Sequence, residues 1–216
     1  MVSHEAAEEL RAEYSRRKDS IKEQLDEFQK VREGSDDGRV FEELVFCILT
    51  SAVGPRVGLK SLDAVREVLM EGSEEEIYAR LEGVHKYPEK SAYIVHTRDY
   101  LKKEYDLKLS KLIDSFTDPL ERREFFALNK NIKGLGFTQA SHFLRNAGFK
   151  GYAILDRNVV KMLFDLGVIE SPKPPSSKKK YLDIEGRMKE LAEEIGIEID
   201  ELDMLLWSMR TGRIPL

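Results

Sequence analysis

The chain has 216 residues, 41% of them hydrophobic and 35% charged, with a formal net charge of −5. This composition excludes disordered and collagen-like chains, and the length can bury one domain or two small lobes. No apolar run approaches the roughly 20 residues of a membrane-spanning helix. A single cysteine, Cys47, excludes an intramolecular disulfide and a four-cysteine zinc or iron–sulfur site within one chain. The opening MVSHEAAEELRAEY lacks the basic-then-apolar plan of a secretory signal, so a cytoplasmic location is expected. Mild acidity argues against a wholly basic surface but leaves room for a local basic face.

In chain order, residues 1–37 are dense in Glu, Lys, Arg and Gln, with opposite charges at three- and four-residue spacings. They predict one surface helix or two, with a thin apolar stripe of Leu10, Tyr14, Ile21, Leu25 and Phe28. Phe41, Leu44, Val45, Ile48, Leu49 and Ala52 follow the spacing of a buried helix, ended by Gly54 and Pro55. Cys47 lies inside it as a small core residue. Helices follow over 57–70 and, behind a Ser73–Glu76 capping box, over 73–83. Further helices are expected at 89–105 and 118–130. Residues 171–180, SPKPPSSKKK, hold three prolines, three serines and a triple lysine and predict a loop. Two helices close the chain, over 181–196 and 199–212. Strand-like alternation is almost absent, so the expected fold class is all-α.

The stretch 121–166 carries the chemistry. A helix leads into Lys133-Gly134-Leu135-Gly136, then a helix, a short link, and Asp156 at the head of another helix. Gly134 and Gly136 permit positive φ and close backbone approach, and Leu135 can pin the turn to the core. Backbone N–H groups opening the next helix can hold an anion such as a phosphate. Two helices joined in this way can grip a DNA backbone without reading sequence. Taken alone, two spaced glycines describe an ordinary turn. Charge adds weight: from Lys130 to Lys180 ten basic side chains face three acidic ones, a local +7 in a chain of −5. Asp156 reads as an N-cap and equally as a carboxylate placed to meet a sugar cation or a water; the two are compatible.

These residues resemble the helix–hairpin–helix DNA glycosylases. NIKGLG, ASHFLRNAGF, AILDRN and the late WSMRTGRIPL are most similar to the type-2 8-oxoguanine DNA glycosylases of archaea and some thermophilic bacteria. The resemblance runs from about Phe41 to Leu216. It implies an all-helical glycosylase core of two lobes over 41–216, with a helix–hairpin–helix at 121–147 and residues 1–40 packed on the core as a helical segment. It implies that double-stranded DNA lies across the cleft and that a damaged base is flipped out for excision. Lys133, Gly134, Leu135, Gly136, Arg145 and Arg157 would contact DNA. Trp207 and the terminal Leu216 would line the base pocket, and Asp156 would stabilise the oxocarbenium-like sugar and help activate the nucleophile. A monovalent cation at hairpin carbonyls is the one cofactor implied. A monomer without a membrane partner is expected, and no zinc site is read from His4, His85 and His96.

Two positions depart from the family. Bifunctional members carry a nucleophilic lysine two residues after the second hairpin glycine and eighteen before the aspartate; both counts reach Thr138. A hydroxyl cannot form the iminium that leads to strand nicking. Either the lyase step is lost, or the threonine replaces a parental lysine, or another amine such as Lys133 takes over. The last residue is Leu216 where the family commonly ends in lysine. Tyr87 reads first as a surface tyrosine, with a second stacking ring as the alternative, and Arg56 first as an exposed loop arginine, with filling of the duplex gap as the alternative; His142 reads as a structural hydrogen-bond partner, and Met204 and Met209 as packing residues. Two other readings stand beside this one: a non-catalytic helix–hairpin–helix DNA binder, and a glycosylase for another damaged base. Asp156 discriminates, because a pure binder has no use for a carboxylate beside a phosphate grip.

Overall fold

A computed structural model of the chain describes residues 2–215. Among them are eleven α-helices, one short 3-10 turn and no strand, so the all-α expectation holds. The helices are α1 (His4–Gly34), α2 (Asp37–Thr50), α3 (Pro55–Val65), α4 (Glu74–Leu81), α5 (Lys90–Tyr105), α6 (Leu109–Asp114), α7 (Pro119–Leu128), α8 (Phe137–Asn146), α9 (Arg157–Asp165), α10 (Lys178–Ile195) and α11 (Ile199–Thr211). The chain divides into two compact units, Met1–Phe28 with Phe149–Leu216, and Gln29–Gly148.

The Gln29–Gly148 unit is built around α2. Ten of its fourteen residues are buried, because apolar side chains cover the whole circumference from Val40 to Leu49. Asp36 caps its start by accepting from the Gly38 and Arg39 N–H groups. α3, α5, α6 and α8 pack against α2, and α7 packs against α8. An edge-to-face chain of Tyr105, Phe125, Phe126 and Phe143 fills the space under α7 and α8. Cys47 is fully buried here, and burial pushes its thiol up.

The other unit joins the first part of α1 to α9, α10 and α11. Leu10 and Ile21 are fully buried, and Arg11 donates to the carbonyls of Glu194 and Ile195 at the end of α10. α9 and α10 both pack on α11, with Val159, Val160, Leu163, Met188, Leu202, Leu205 and Leu206 in the core.

Local sequence signals account for most of the helix ends. The Ser73–Glu76 capping box forms in both directions. Asp118, Asp156 and Ser177 each cap the helix that follows. Residues 4–34 make one continuous helix, within the expectation of one helix or two. Three details differ from the sequence expectation. The segment predicted at 57–70 breaks into α3 and the 3-10 turn Arg66–Val68. The six-residue α6, which had no sequence signal, exists because Leu109, Leu112 and Ile113 are buried. Lys178–Lys180 belong to the first turn of α10 and not to the loop, because the Ser177 hydroxyl accepts from the Lys180 N–H.

Candidate active site and hairpin

Asp156 opens α9 as its N-cap. Its Oδ1 accepts from the backbone N–H groups of Asn158 at 2.8 Å and Val159 at 2.9 Å. Its Oδ2 accepts from the Trp207 indole N–H at 3.0 Å, with Asn158 Nδ2 farther off at 3.5 Å. The carboxylate is half-buried, so it is both held and reachable. The cap and the indole together fix its plane and leave its charge unpaired by any cation in this set of bonds.

The backbone that delivers Asp156 is a non-helical run from Gly151 to Leu155, buried from Tyr152 onward. Buried N–H groups without helix or sheet partners need other acceptors. Side chains from α10 and α11 supply them. Asp200 accepts from the Gly151 N–H through both oxygens at 2.9 and 3.0 Å. Glu185 accepts from Ala153 at 3.1 Å, and Asp203 accepts from Ile154 at 2.8 Å. The Tyr181 hydroxyl donates to the Ala153 carbonyl at 2.6 Å and accepts from the Leu155 N–H at 3.4 Å. None of these four residues was picked out from sequence. Their partners lie 26 to 49 residues away, so no local pattern marks them.

The hairpin lies in the other unit, between α7 and α8. Gly134 has φ +79°, the left-handed region, and a Cβ there would come within 3.1 Å of Tyr93 and 3.2 Å of Ile48. Both reasons for glycine therefore hold at Gly134. Gly136 differs from the expectation: its φ of −112° and ψ of −168° are extended, and a Cβ would meet nothing within 4 Å. It stands at the N-cap of α8 and, as a glycine, brings no side chain of its own to cap that helix. Leu135 is buried and anchors the turn. The Lys133 N–H donates to Thr97 Oγ1 of α5 at 2.9 Å, tying the turn to that helix. Thr138 is the second residue of α8 and is half-buried.

The remaining residues singled out from sequence are placed as follows. Arg145 is only 3% exposed and its guanidinium donates to Asn146 Oδ1, while Asn146 donates to Glu43 at 2.9 Å. Burial pushes the Glu43 carboxyl up, against the Asn146 hydrogen bond and the nearby Arg39 and Arg145 charges. Arg145 is thus a core residue facing a carboxylate, the structural alternative of the two that sequence left open. Arg157 is exposed at the first position of α9. Lys161, counted in the basic stretch, pairs with Asp165. His142 packs edge-on against Phe46, with ring centres 5.6 Å apart. Tyr87 is half-buried, and its N–H donates to His85 Nδ1 at 2.9 Å. Arg56 is exposed in the first turn of α3. Met204 is buried and Met209 half-buried. Leu216 lies outside the described residues. Among the described residues no group of three His, Cys, Asp or Glu side chains could hold a metal ion, and no helix is long and apolar enough to cross a membrane.

Residues 21–197 match the family described as 8-oxoguanine DNA glycosylase. The chain belongs to that family. An 8-oxoguanine DNA glycosylase/AP lyase of Korarchaeum cryptofilum is 38% identical over 207 residues, covering 95% of this chain and 94% of the relative. The crystal structure of the Methanocaldococcus jannaschii 8-oxoguanine DNA glycosylase superposes with a TM-score of 0.87 at 29% identity, over 98% of this chain and 96% of that one. The same protein in complex with a 15mer DNA containing 8-oxoguanine gives a TM-score of 0.86 at 29% identity, over 96% and 99% of the two chains. In this glycosylase family member the sequence resemblance and the all-helical fold therefore agree.

Proposed function

We propose that this chain is a DNA-repair glycosylase that removes 8-oxoguanine from double-stranded DNA, with Asp156 as its catalytic carboxylate and water as its nucleophile. The observation that carries this reading is the geometry of Asp156. One oxygen is committed to two backbone N–H groups, and the other is held at 3.0 Å by a neutral donor. Such a carboxylate holds an oxygen in a fixed direction where a cation can develop.

The reaction proceeds in two parts. The C1′–N9 bond breaks, its electron pair leaves with the base, and the sugar becomes oxocarbenium-like beside the Asp156 carboxylate. A water then adds its oxygen to C1′ and gives its proton to Asp156. The products are the free base, which takes up a proton, and an abasic site. A lysine at position 138 would instead form an iminium and permit β-elimination. Thr138 has no amine, so the strand stays intact.

Lys133, Gly134, Leu135 and Gly136 support a phosphate grip, through a lysine charge, a glycine turn and the start of α8, where a helix favours an anion. Arg157 adds an exposed positive charge beside Asp156. Affinity is expected to fall steeply with salt as phosphate contacts release counterions. Trp207 and Leu216 complete the reading as base-pocket residues. The hairpin offers neutral carbonyl oxygens, donors that suit a monovalent cation. The enzyme is read as a cytoplasmic monomer.

The test uses an end-labelled duplex carrying one 8-oxoguanine, incubated with the protein and divided before a denaturing gel. Cleavage only in the half treated with hot alkali is the expected result. Cleavage without alkali would overturn the loss of lyase activity. Intact DNA in both halves, with binding retained, would favour a DNA-binding protein without catalysis.

A further inference from the structure

An N-capping carboxylate usually satisfies the helix with one oxygen and leaves the other to water. At Asp156 the second oxygen has a protein donor, and that donor comes from a distant helix. Trp207 lies 51 residues from Asp156 and donates its indole N–H to Oδ2 at 3.0 Å. The same helix holds the approach to Asp156. Asp200, Asp203 and Trp207 are spaced three and four residues apart, so they share one face of α11. Along that face they bind the Gly151 N–H, the Ile154 N–H and the Asp156 carboxylate in turn. α11 therefore fixes both the backbone leading to Asp156 and the rotation of its carboxylate.

The identity of the donor matters. Oδ1 already accepts two backbone bonds, so Oδ2 is the oxygen left to take a proton from water. A neutral indole N–H aims that oxygen without cancelling its charge. An arginine in the same place would aim it and also neutralise it. The indole ring can still stack on a base, since its N–H lies in the ring plane and its face does not take part in this bond.

We infer that Trp207 is a positioning residue for the excision step, aiming Asp156 Oδ2 through its indole N–H, separately from any stacking by its ring. This rests on the assignment of Asp156 as the catalytic carboxylate.

Trp207 is the only tryptophan in the chain, which permits an atom-level test in the whole protein. The protein is produced with benzothienylalanine in place of tryptophan, so that sulfur replaces the indole N–H and the ring shape is kept. Trp207→Phe gives the same loss by mutation. Two quantities are measured: single-turnover release of 8-oxoguanine, and Kd for a duplex carrying a tetrahydrofuran abasic analogue, which has no base to stack. A hydrogen bond to a charged group corresponds to roughly a ten- to hundredfold change. Release is expected to slow by about that factor, while Kd stays within about twofold. Release at the parental rate in either form would overturn the inference, because stacking alone would then suffice. Equal losses in release and in abasic-DNA binding would also overturn it, because the ring would then act in binding or folding. Asp156→Asn is run alongside. If it releases base as fast as the parent, the assignment of Asp156 fails, a different result from an inert indole N–H.

Discussion

The approach to Asp156 and the turn at Gly134 are held in opposite ways. Residues 151–156 are strapped by side chains: Asp200, Glu185 and Asp203 take backbone N–H groups, Tyr181 bonds Ala153 and Leu155, and Trp207 takes the carboxylate. The hairpin is shaped by its backbone, with Gly134 at positive φ against Tyr93 and Ile48, and Thr97 accepts from the Lys133 N–H. On the proposed function the difference follows from what each would do. A catalytic carboxylate needs a fixed direction, which a dense set of charged hydrogen bonds supplies. A phosphate grip needs the backbone to come close to its ligand, which a glycine turn permits.

Substitutions should separate the two regions. Among changes to the residues that hold the two regions, the largest effect is expected from Asp203→Ala, which removes the acceptor of the buried Ile154 N–H. It should cost about 2–3 kcal/mol of stability in urea unfolding and slow base release at least tenfold, with affinity for abasic-analogue DNA unchanged. Loss of DNA affinity alone would break the distinction. Gly134→Ala should cost about 1–2 kcal/mol, from the positive φ and from Tyr93 and Ile48 close by, and should weaken DNA binding. Gly136→Ala sharpens this comparison. Its extended backbone and open surroundings predict a stability change of only a few tenths of a kcal/mol, roughly that of an ordinary surface site.

A smaller, pH-dependent effect is expected next to the hairpin. The buried Lys90 ammonium donates to the Ile48 carbonyl at 2.6 Å and to Ser51 Oγ at 2.7 Å, closing the end of α2. Burial pushes it down to about 8 from its ordinary 10.5. A lowered lysine holds fewer protons folded than unfolded between those values, so its contribution is full above about 10.5 and is lost as pH falls through about 8. Urea titrations of the parent and of Lys90→Met should therefore show a stability difference that shifts in the parent's favour as pH rises across this window. Below it the difference should be flat. A difference independent of pH throughout would contradict the assignment.

Legibility in the sequence follows the range of each interaction. The Ser73–Glu76 box and the caps at Asp118 and Asp156 are local events, decided within four residues, and the positive φ of Gly134 is local too, though its close neighbours Tyr93 and Ile48 are not. The strap on 151–156 is not, because Asp200 and Asp203 look like the ordinary charged residues of an amphipathic helix until α11 is packed. Sequence leaves Arg145 open as a phosphate or a carboxylate contact, and only packing brings Asn146 and Glu43, 103 residues apart, to its buried side chain. Gly136 shows the reverse: a glycine spaced for a special backbone angle adopts an ordinary one, so the residue type alone did not decide the conformation.

The central claim is that Asp156, and not an amine at position 138, drives base release. The most direct measurement is single-turnover release of free 8-oxoguanine by Asp156→Asn, with DNA affinity measured on the same preparation. Asparagine keeps an oxygen to cap α9, so the fold and DNA binding should persist while release falls by roughly a thousandfold or more. Release at the parental rate with binding intact would contradict the account.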